Sequence, residues 1–201
     1  IVAPQRKVTV EWFANILGSH YEGTPLDLTD GYTKGHPHSD SADAICAAHN
    51  QYGFVAQLRN WMPAETGALL WMMPRRPCVQ AMIPIYCGVD SLPSNYTFRN
   101  FRDAIDHHFH KPEDLLSATP DHIYWKFSRV ADSADSNYLR RARQIGPAAL
   151  KFNRNLLLNQ EQFELDVLKL GQTNKKAATR ALNLMVINKT DEWLQTIRKI
   201  L

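Results

Sequence analysis

The sequence predicts an α+β fold, because three kinds of segment follow one another along the chain. An amphipathic helical pattern comes first, apolar runs of strand length lie within residues 44–88, and helical spacing continues from there to the C terminus. Strands that are grouped together, with helices grouped after them, are typical of this class. We expect a single domain or part of one, with a helix and sheet portion in residues 1–96 and a helical portion in residues 97–201.

The first helix should begin after Thr9, whose hydroxyl can accept a hydrogen bond from the free backbone amides of the first turn. Its apolar stripe consists of Val10, Trp12, Phe13, Ile16 and Leu17. The helix should end near Tyr21, because Gly23 and Pro25 both interrupt helical geometry.

Apolar stretches of strand length predict an antiparallel sheet. Residues 44–59 are typical of two strands joined by a polar turn at residues 50–53, which together would form a hairpin. Residues 68–74 and 79–88 are further apolar runs, bounded by Pro, Arg and Gly. Because these runs do not alternate cleanly, they indicate strands that are covered on both faces.

The C-terminal region should be helical, with breaks at two places. Gly146 and Pro147 should bend or divide one long helical region, and residues 174–201 should form two helices split near Asn188. The apolar stripes on these helices contain Ile123, Phe127, Val130 and Ala134, and later Leu156, Phe163, Val167 and Leu170.

The charges of the chain are divided unevenly between its two parts. From Asp121 onward, 14 Lys and Arg against 8 Asp and Glu give +6, which leaves 9 − 12 = −3 in the first 120 residues. The basic residues alternate with acids on amphipathic helices, which favours a solvated face over a nucleic-acid surface. No apolar run reaches the roughly 18 residues of a membrane span. We expect neither nucleic acid nor membrane as a partner, and the compartment stays open between cytoplasm and a secreted or periplasmic location.

The cysteines and histidines do not form a recognised local motif. Cys46, Cys78 and Cys87 lack CxxC spacing, and we expect cysteines in such apolar runs to be buried as small apolar side chains. No GxSxG sequence or cysteine-nucleophile signature is present, so no classical triad is predicted. On a strand, Cys46 and His49 would lie on opposite faces.

Histidines cluster in two places, which raises the question of a metal site. His107, His108 and His110 lie close together, and His36 and His38 flank Pro37. Neither HExxH nor a Cys/His pairing occurs in the sequence, so we expect no metal site and no cofactor.

Arg59 ends a mostly apolar strand, where a charge is costly unless it is paired. Its guanidinium could bind a substrate carboxylate in bidentate fashion. It could equally form an ion pair with an acid of a neighbouring loop, and the sequence leaves both interpretations open.

Four strings, in this order, resemble segments of the N-terminal-nucleophile dipeptidases, the family of dipeptidase A and the secernins. They are "ILGSHYEGTPLDLT" (residues 16–29), "AHNQYGFVAQLRNWMPAETGALLWMMPRRP" (48–77), "AMIPIYCGVDSLPSNY" (81–96) and "YWKFSRVADSADSNYL" (124–139). Together they cover most of residues 8–140, whereas the last fifty residues resemble the family only in being helical.

The resemblance implies an amide hydrolase with a four-layer αββα sandwich. In that family an N-terminal cysteine, exposed by cleavage of a leader, is the nucleophile, and its α-amino group is the general base. The matched segments resemble the family's C-terminal half, and this chain begins at Ile1. We therefore expect no catalytic residue in this chain, which should be inactive alone because the nucleophile-bearing half is absent.

Two interpretations of function follow from the resemblance. The chain is either the C-terminal portion of a cysteine dipeptidase or a non-catalytic binding module on a hydrolase-like scaffold. For the first, the substrate-binding candidates are His20, Glu22, Gly23, Thr24 and Arg59. Glu22 could hold the free amine of a dipeptide and His20 could orient Glu22. The expected partners are a dipeptide substrate and the N-terminal half of the same enzyme, with homo-oligomerisation left open.

Overall fold

A computed structural model of the chain describes residues 8–27, 36–38, 44–97, 102 and 121–201. Among these residues, helix α1 (Val10–Leu17) precedes strand β1 (Tyr52–Leu58), short helix α2 (Ala64–Gly67) and strands β2 (Ala68–Pro74) and β3 (Ile83–Tyr86). Helices α3 (Ile123–Asp135), α4 (Tyr138–Thr173) and α5 (Lys175–Arg198) follow. Two 3₁₀ turns, Pro77–Val79 and Ser94–Tyr96, flank β3. The predicted α+β class is confirmed.

Helix α1 begins as predicted but ends earlier. The Thr9 hydroxyl accepts a hydrogen bond from the Trp12 amide at 3.1 Å, which confirms the N-cap. The helix ends at Leu17 and not near Tyr21, because Gly18 caps it and donates its amide N–H to the Ala14 carbonyl. Gly23 therefore lies in the turn that follows the helix and does not end it.

The three strands form one antiparallel sheet in the order β1-β2-β3. Val55 lies opposite Trp71, and Trp71 lies opposite Pro84, so the bulky indole occupies the middle of the central strand. Antiparallel strands within residues 44–88 are thus confirmed.

The predicted hairpin within residues 44–59 is wrong. Residues 44–50 contain turns and bends, and only Tyr52–Leu58 is a strand. The Cys46 amide donates to the Ser19 carbonyl at 3.0 Å, and the Asn50 side chain donates to the Ile45 carbonyl. These bonds fix the segment against the loop after α1, so β1 pairs instead with β2.

Strand β1 is covered on one face only within the described part of the chain. Val55 is buried, whereas Phe54 is 48% exposed and Leu58 is 74% exposed. The prediction of coverage on both faces concerned the runs at residues 68–74 and 79–88. There β2 alternates half-buried and buried positions and β3 is buried at three of its four positions, so neither strand has an exposed residue, as predicted.

Neither Pro147 nor Asn188 divides a helix of the C-terminal region, contrary to the two predicted divisions. Helix α4 continues for 36 residues through Pro147, which is exposed, while Ile145 and Ala149 stay buried on the opposite side. Burial on both sides of the proline offsets its missing hydrogen bond. Helix α5 likewise continues through Asn188, and the break lies at Asn174, whose side chain accepts from the Ala177 amide at 3.0 Å.

The sheet and the C-terminal helices share one hydrophobic core. Trp71 of β2, Phe152 of α4 and Trp193 of α5 are all buried in it. The Trp193 indole donates to the Gln80 side chain at 3.0 Å, which satisfies its only polar atom. None of the described helices has the length and apolarity needed to cross a membrane.

A buried ion pair joins the sheet to α4. Both terminal nitrogens of Arg59 donate to the Glu164 carboxylate at 2.7 Å, with side chains only 11% and 5% exposed. Tyr86 and Gln160 donate to the same carboxylate at 3.0 and 2.8 Å. Arg59 also donates to the carbonyl of Thr66 at 2.8 Å. The pair is thus saturated with hydrogen bonds, as a buried pair must be to offset the loss of water.

We expect Glu164→Ala to lower the free energy of unfolding by about 3–5 kcal/mol, because it leaves the Arg59 guanidinium buried without its counter-charge. Glu161→Ala, at an exposed position of the same helix, should change it by less than about 0.5 kcal/mol. Urea unfolding of the full chain measures both. Equal effects of the two substitutions would contradict the role given to the pair.

Tyr86 should make the protein sensitive to alkaline pH. Burial raises the pKa of its phenol above the ordinary value of 10, and the charge of Glu164 raises it further. Above about pH 10 the unfolded chain releases this proton and the folded chain keeps it, so stability falls as pH rises. The contribution of Tyr86 to the free energy of unfolding is fully present below about pH 10. Above that pH it falls by up to about 1.4 kcal/mol per pH unit.

Tyr86→Phe should therefore flatten the decline of the unfolding free energy between about pH 9 and 11. Tyr52→Phe, at an exposed position, is the matched control and should leave the slope unchanged. If both variants keep the slope of the unmodified protein, Tyr86 does not cause the alkaline loss.

Candidate functional site

A cleft of about 510 Å³ opens between α1, the 3₁₀ turn Pro77–Val79 and the N-terminal part of α4. Polar and charged side chains line much of it. They are Glu11, Asn15, His20, Glu22, Cys78, Gln80, Tyr138, Arg143 and Asn153. The volume is within the range of about 300–1,000 Å³ that is usual for small-molecule sites.

Four side chains of types that can ligate a metal converge beside this cleft, and two of them, His20 and Cys78, line it. We call His20, His38, Cys46 and Cys78 the thiol–histidine cluster. The Nε2 atoms of the two histidines lie 3.1 Å apart. The Sγ atoms of Cys78 and Cys46 lie 3.2 and 3.7 Å from the Nε2 atom of His38. All four ligand atoms lie within 4.8 Å of one another.

Each histidine of the cluster is held from its other ring nitrogen by a carboxylate. The Nδ1 atom of His20 lies 2.8 Å from Glu22 Oε1, and the His20 amide donates to Glu22 Oε2 at 2.9 Å. The Nδ1 atom of His38 lies 2.8 Å from Asp135 Oδ1, at the end of α3. Arg76 donates a hydrogen bond to the other oxygen of Asp135. Both imidazoles are therefore fixed with Nε2 directed into the cluster.

Local structure explains how these residues reach one place. Helix α1 ends at Leu17 with Gly18 as its cap, and Tyr21 has a positive φ of 65°, which turns the chain so that Glu22 folds back onto His20. The amide bond from Cys46 to Ser19 ties the Cys46 segment to the same loop. The aromatic ring of Tyr138, at the start of α4, packs edge-on against both imidazoles.

The environment shifts the pKa values of the buried groups in the cluster. The Cys78 thiol donates a hydrogen bond to Cys46 and, with the two histidines, lowers the pKa of Cys46 to about 3 against the opposing effect of burial. Burial and the neighbouring Cys46 raise the pKa of Cys78. Burial alone would lower the pKa of His38, but its hydrogen bonds to Asp135 and Cys46 raise it overall. The cluster therefore favours one thiolate beside one neutral thiol.

Two kinds of chemistry are compatible with this arrangement. Cys78, His38 and Asp135 follow the order of a thiol–imidazole–carboxylate triad, with separations of 3.2 and 2.8 Å. Alternatively, two thiols and two imidazoles form a donor set for a transition-metal ion.

The structure brings together only part of the predicted substrate-binding set. His20 and Glu22 line the cleft. Gly23 and Thr24 lie in the exposed turn beyond it, where the Gly23 amide donates to Asp27 and the Thr24 hydroxyl donates to the Tyr21 carbonyl. Arg59 is not among the lining residues and forms the ion pair that the sequence left open, although its partner Glu164 lies on α4 and not in a loop.

Sequence reasoning did not find the thiol–histidine cluster. Cys46 is buried as expected, but it lies in a turn and not in a strand, and Cys87 is exposed, contrary to expectation. The prediction of no metal site was based on the absence of a local Cys/His motif. The four residues of the cluster are 18, 8 and 32 positions apart along the chain, so no local motif could contain them. His107, His108 and His110 lie outside the described residues. The one local sign of the cluster in the sequence was the position of His20 two residues before Glu22, the carboxylate that holds it.

Comparisons with known proteins agree on a single family. The model of peptidase family C69 matches residues 1–150. A probable dipeptidase B of Lactococcus lactis subsp. lactis is 26% identical over 189 residues, which is 90% of this chain and 36% of that protein. A dipeptidase of Bifidobacterium longum is 32% identical over 95 residues, covering 45% of this chain and 17% of that protein.

A probable dipeptidase A of Streptococcus pyogenes serotype M1 is 26% identical over 164 residues, which is 81% of this chain and 33% of that protein. The chain thus spans about a third or less of the length of these curated relatives.

We expect Gly18→Ala to destabilise the site. A Cβ atom at Gly18 would lie 3.2 Å from Cys78 Cα, so the backbone of the 3₁₀ turn would have to move, at a cost of about 1 kcal/mol. Gly171→Ala is the matched control, because its added Cβ makes only an ordinary contact of 3.7 Å with Ala178 and it should stabilise α4 by about 0.5–1 kcal/mol. Urea unfolding of the full chain distinguishes the two. A Gly18→Ala variant as stable as the Gly171→Ala variant would refute the tight contact.

Proposed function

The chain belongs to peptidase family C69, and from that membership we propose that it forms the C-terminal portion of a cysteine dipeptidase. The observation that carries this proposal is the family match over residues 1–150, together with relatives named dipeptidases of which the chain covers about a third. The nucleophile in this proposal is an N-terminal cysteine outside these 201 residues.

The chemistry of this proposal follows from a cysteine that carries its own base. The α-amino group titrates near pH 8 and can take the thiol proton. The thiolate attacks the peptide carbonyl, the leaving amine receives the proton, and water then releases the first amino acid from the acyl-enzyme. The 201 residues supply one wall of the substrate site in this mechanism.

The cleft has the charges that a dipeptide requires. A dipeptide carries a free ammonium and a free carboxylate, and Glu22 and Arg143 offer opposite charges among the residues that line the cleft. Glu22 already accepts from His20, but a carboxylate has about four acceptor positions and can receive an ammonium as well. We assign Glu22 to the substrate amine and Arg143, in place of Arg59, to the substrate carboxylate.

The outer face of the sheet supports a larger assembly. Tyr52, Phe54, Leu58 and Trp61 form an exposed apolar strip along and just after β1. Monomeric proteins rarely leave such a continuous strip in water. We propose that the N-terminal portion of the enzyme packs on this strip and completes an αββα sandwich.

One observation favours a second candidate function. The Cys78–His38–Asp135 arrangement could itself provide a thiol nucleophile, because Cys78 lines the cleft and His38 lies 3.2 Å from its sulfur. In that case the nucleophile would lie within this chain. The raised pKa of the Cys78 thiol opposes this role, because a nucleophile must be a thiolate.

The first experiment assays the full-length protein against dipeptides with a free or an acetylated N terminus. The proposal predicts hydrolysis of free dipeptides, loss of activity on thiol alkylation, and an alkylated N-terminal cysteine in peptide mass spectrometry. Alkylation of Cys78 alone with loss of activity would favour the second candidate. Absence of any dipeptide hydrolysis would leave a non-catalytic binding module as the better interpretation.

Glu22→Gln and Arg143→Gln should each raise KM for free dipeptides by about 10- to 100-fold, because each removes one charged hydrogen bond to the substrate. Their kcat values should change much less. Glu161→Gln, at an exposed position of α4 outside the cleft, should keep the KM of the unmodified enzyme. An unchanged KM in both cleft variants would refute the assignment.

A further inference from the structure

We propose that the thiol–histidine cluster binds a structural Zn²⁺ ion through His20, His38, Cys46 and Cys78. This inference goes beyond the proposed function and does not depend on dipeptidase activity. It rests on the separation of the ligand atoms, the orientation of the two imidazoles, and the carboxylates behind them.

The separations match a tetrahedral ion. With Zn–N bonds of about 2.05 Å and Zn–S bonds of about 2.3 Å, two nitrogens lie about 3.3 Å apart and a nitrogen lies about 3.6 Å from a sulfur. The two Nε2 atoms are 3.1 Å apart, and the distances from His38 Nε2 to the two sulfurs are 3.2 and 3.7 Å. No large rearrangement is needed to place an ion among them.

The tautomers of the two histidines also fit a bound cation. Each Nδ1 atom faces a carboxylate oxygen at 2.8 Å, and a carboxylate only accepts hydrogen bonds, so each Nδ1 carries the hydrogen. In the neutral ring the Nε2 atom then has a lone pair. Two such lone pairs facing each other at 3.1 Å repel unless a proton or a metal ion lies between them, and a Zn²⁺ ion would fill this position while both rings stay neutral.

The carboxylates form the outer shell that is usual for a metal-binding histidine. Such a histidine almost always donates its second ring N–H to a carboxylate, a carbonyl or water, which fixes the ring and increases its basicity. Glu22 accepts the Nδ1–H of His20, and Asp135 accepts the Nδ1–H of His38. Both imidazoles of the cluster therefore have the complete outer arrangement, although their carboxylates come from different elements.

The donor set identifies both the ion and its role. Two thiols lose their protons on binding, so two thiolates and a Zn²⁺ ion give a neutral site, which suits the burial of His20, His38 and Cys46. Four protein ligands leave no open position, and such closed sites are structural and not catalytic. The ion would join the loop after α1, residues 36–38, the Cys46 turn and the 3₁₀ turn before β3.

A catalytic triad explains less of the same geometry. It would use Cys78, His38 and Asp135, and it would leave His20 and Cys46 without a role. A second possible metal group consists of His36, His38 and Asp135. Its His38 is already a ligand of the cluster, its Asp135 already holds His38, and its remaining member, His36, is exposed. A single ion in the buried cluster accounts for all four ligands and both carboxylates.

The test uses the full protein, produced with zinc in the medium and purified without chelators. Elemental analysis should give about one zinc per chain, and zinc X-ray absorption should fit two sulfurs at about 2.3 Å and two nitrogens at about 2.0 Å. Replacement by Co²⁺ should give the intense d–d bands of a tetrahedral ion and a thiolate-to-cobalt charge-transfer band. These readouts concern the unmodified protein and do not depend on the folding of a variant.

Substitutions then assign the ligands. Cys46→Ser and Cys78→Ser should lose the charge-transfer intensity and most of the zinc, whereas Cys87→Ser should keep both, because Cys87 is exposed and lies outside the cluster. Glu22→Gln should weaken zinc binding by about 10- to 100-fold in competition with a chromophoric chelator. The site should also persist in a protein that shows no dipeptidase activity.

Four results would overturn the proposal. The first two are less than about a tenth of a zinc per chain after growth with zinc, and a Cys46–Cys78 disulfide in the native protein. The others are full zinc retention in both cysteine variants, and stoichiometric binding of iron or copper in place of zinc.

Discussion

The bidentate pair between Arg59 and Glu164 is the interaction on which the arrangement of the layers depends. It connects the end of β1 to the C-terminal half of α4, where both side chains are buried and an unpaired charge would be unfavourable, so few alternative positions of the helix are possible. Its value therefore lies in specifying one position of α4 more than in adding stability. Asn153 and Tyr138 lie toward the N-terminal end of the same helix, about 16 Å and 39 Å from Glu164 at 1.5 Å per residue. The position of the cleft wall is thus set by an ion pair that does not contact the cleft.

The cleft and the thiol–histidine cluster are formed by the same loop after α1 and the same 3₁₀ turn. Gly18 allows the end of α1 to approach the backbone of Cys78, and the same loop carries His20 and Glu22 into the wall. Both oxygens of the Glu22 carboxylate bind His20, and Glu22 also lines the cleft. Any force that moves the loop after α1 would move both the proposed substrate contact and the cluster. The segment "HYEGT" is therefore positioned by packing, hydrogen bonding and the cluster together.

Local features were predicted well from the sequence, and features that depend on distant contacts were not. The Thr9 cap and the strand at residues 68–74 follow from rules that act over a few residues. The path of α4 through Pro147 does not, because burial of Ile145 and Ala149 outweighs a local preference against proline. The cluster was missed because its members come from four separate segments and meet only in the folded chain. Arg59 lies between these two cases. Its need for a negatively charged partner was predicted from the sequence, but the identity of that partner, Glu164, was not.

Strand β1 has a further consequence for the behaviour of the chain in solution. Among the described strands it pairs with β2 only, so its other edge has backbone N–H and C=O groups available to a further strand, beside exposed Phe54 and Leu58. An open edge of this kind can be extended by any chain that presents a matching strand, including another copy. Preparations of the 201 residues should therefore self-associate as their concentration rises, unless another chain pairs with this edge.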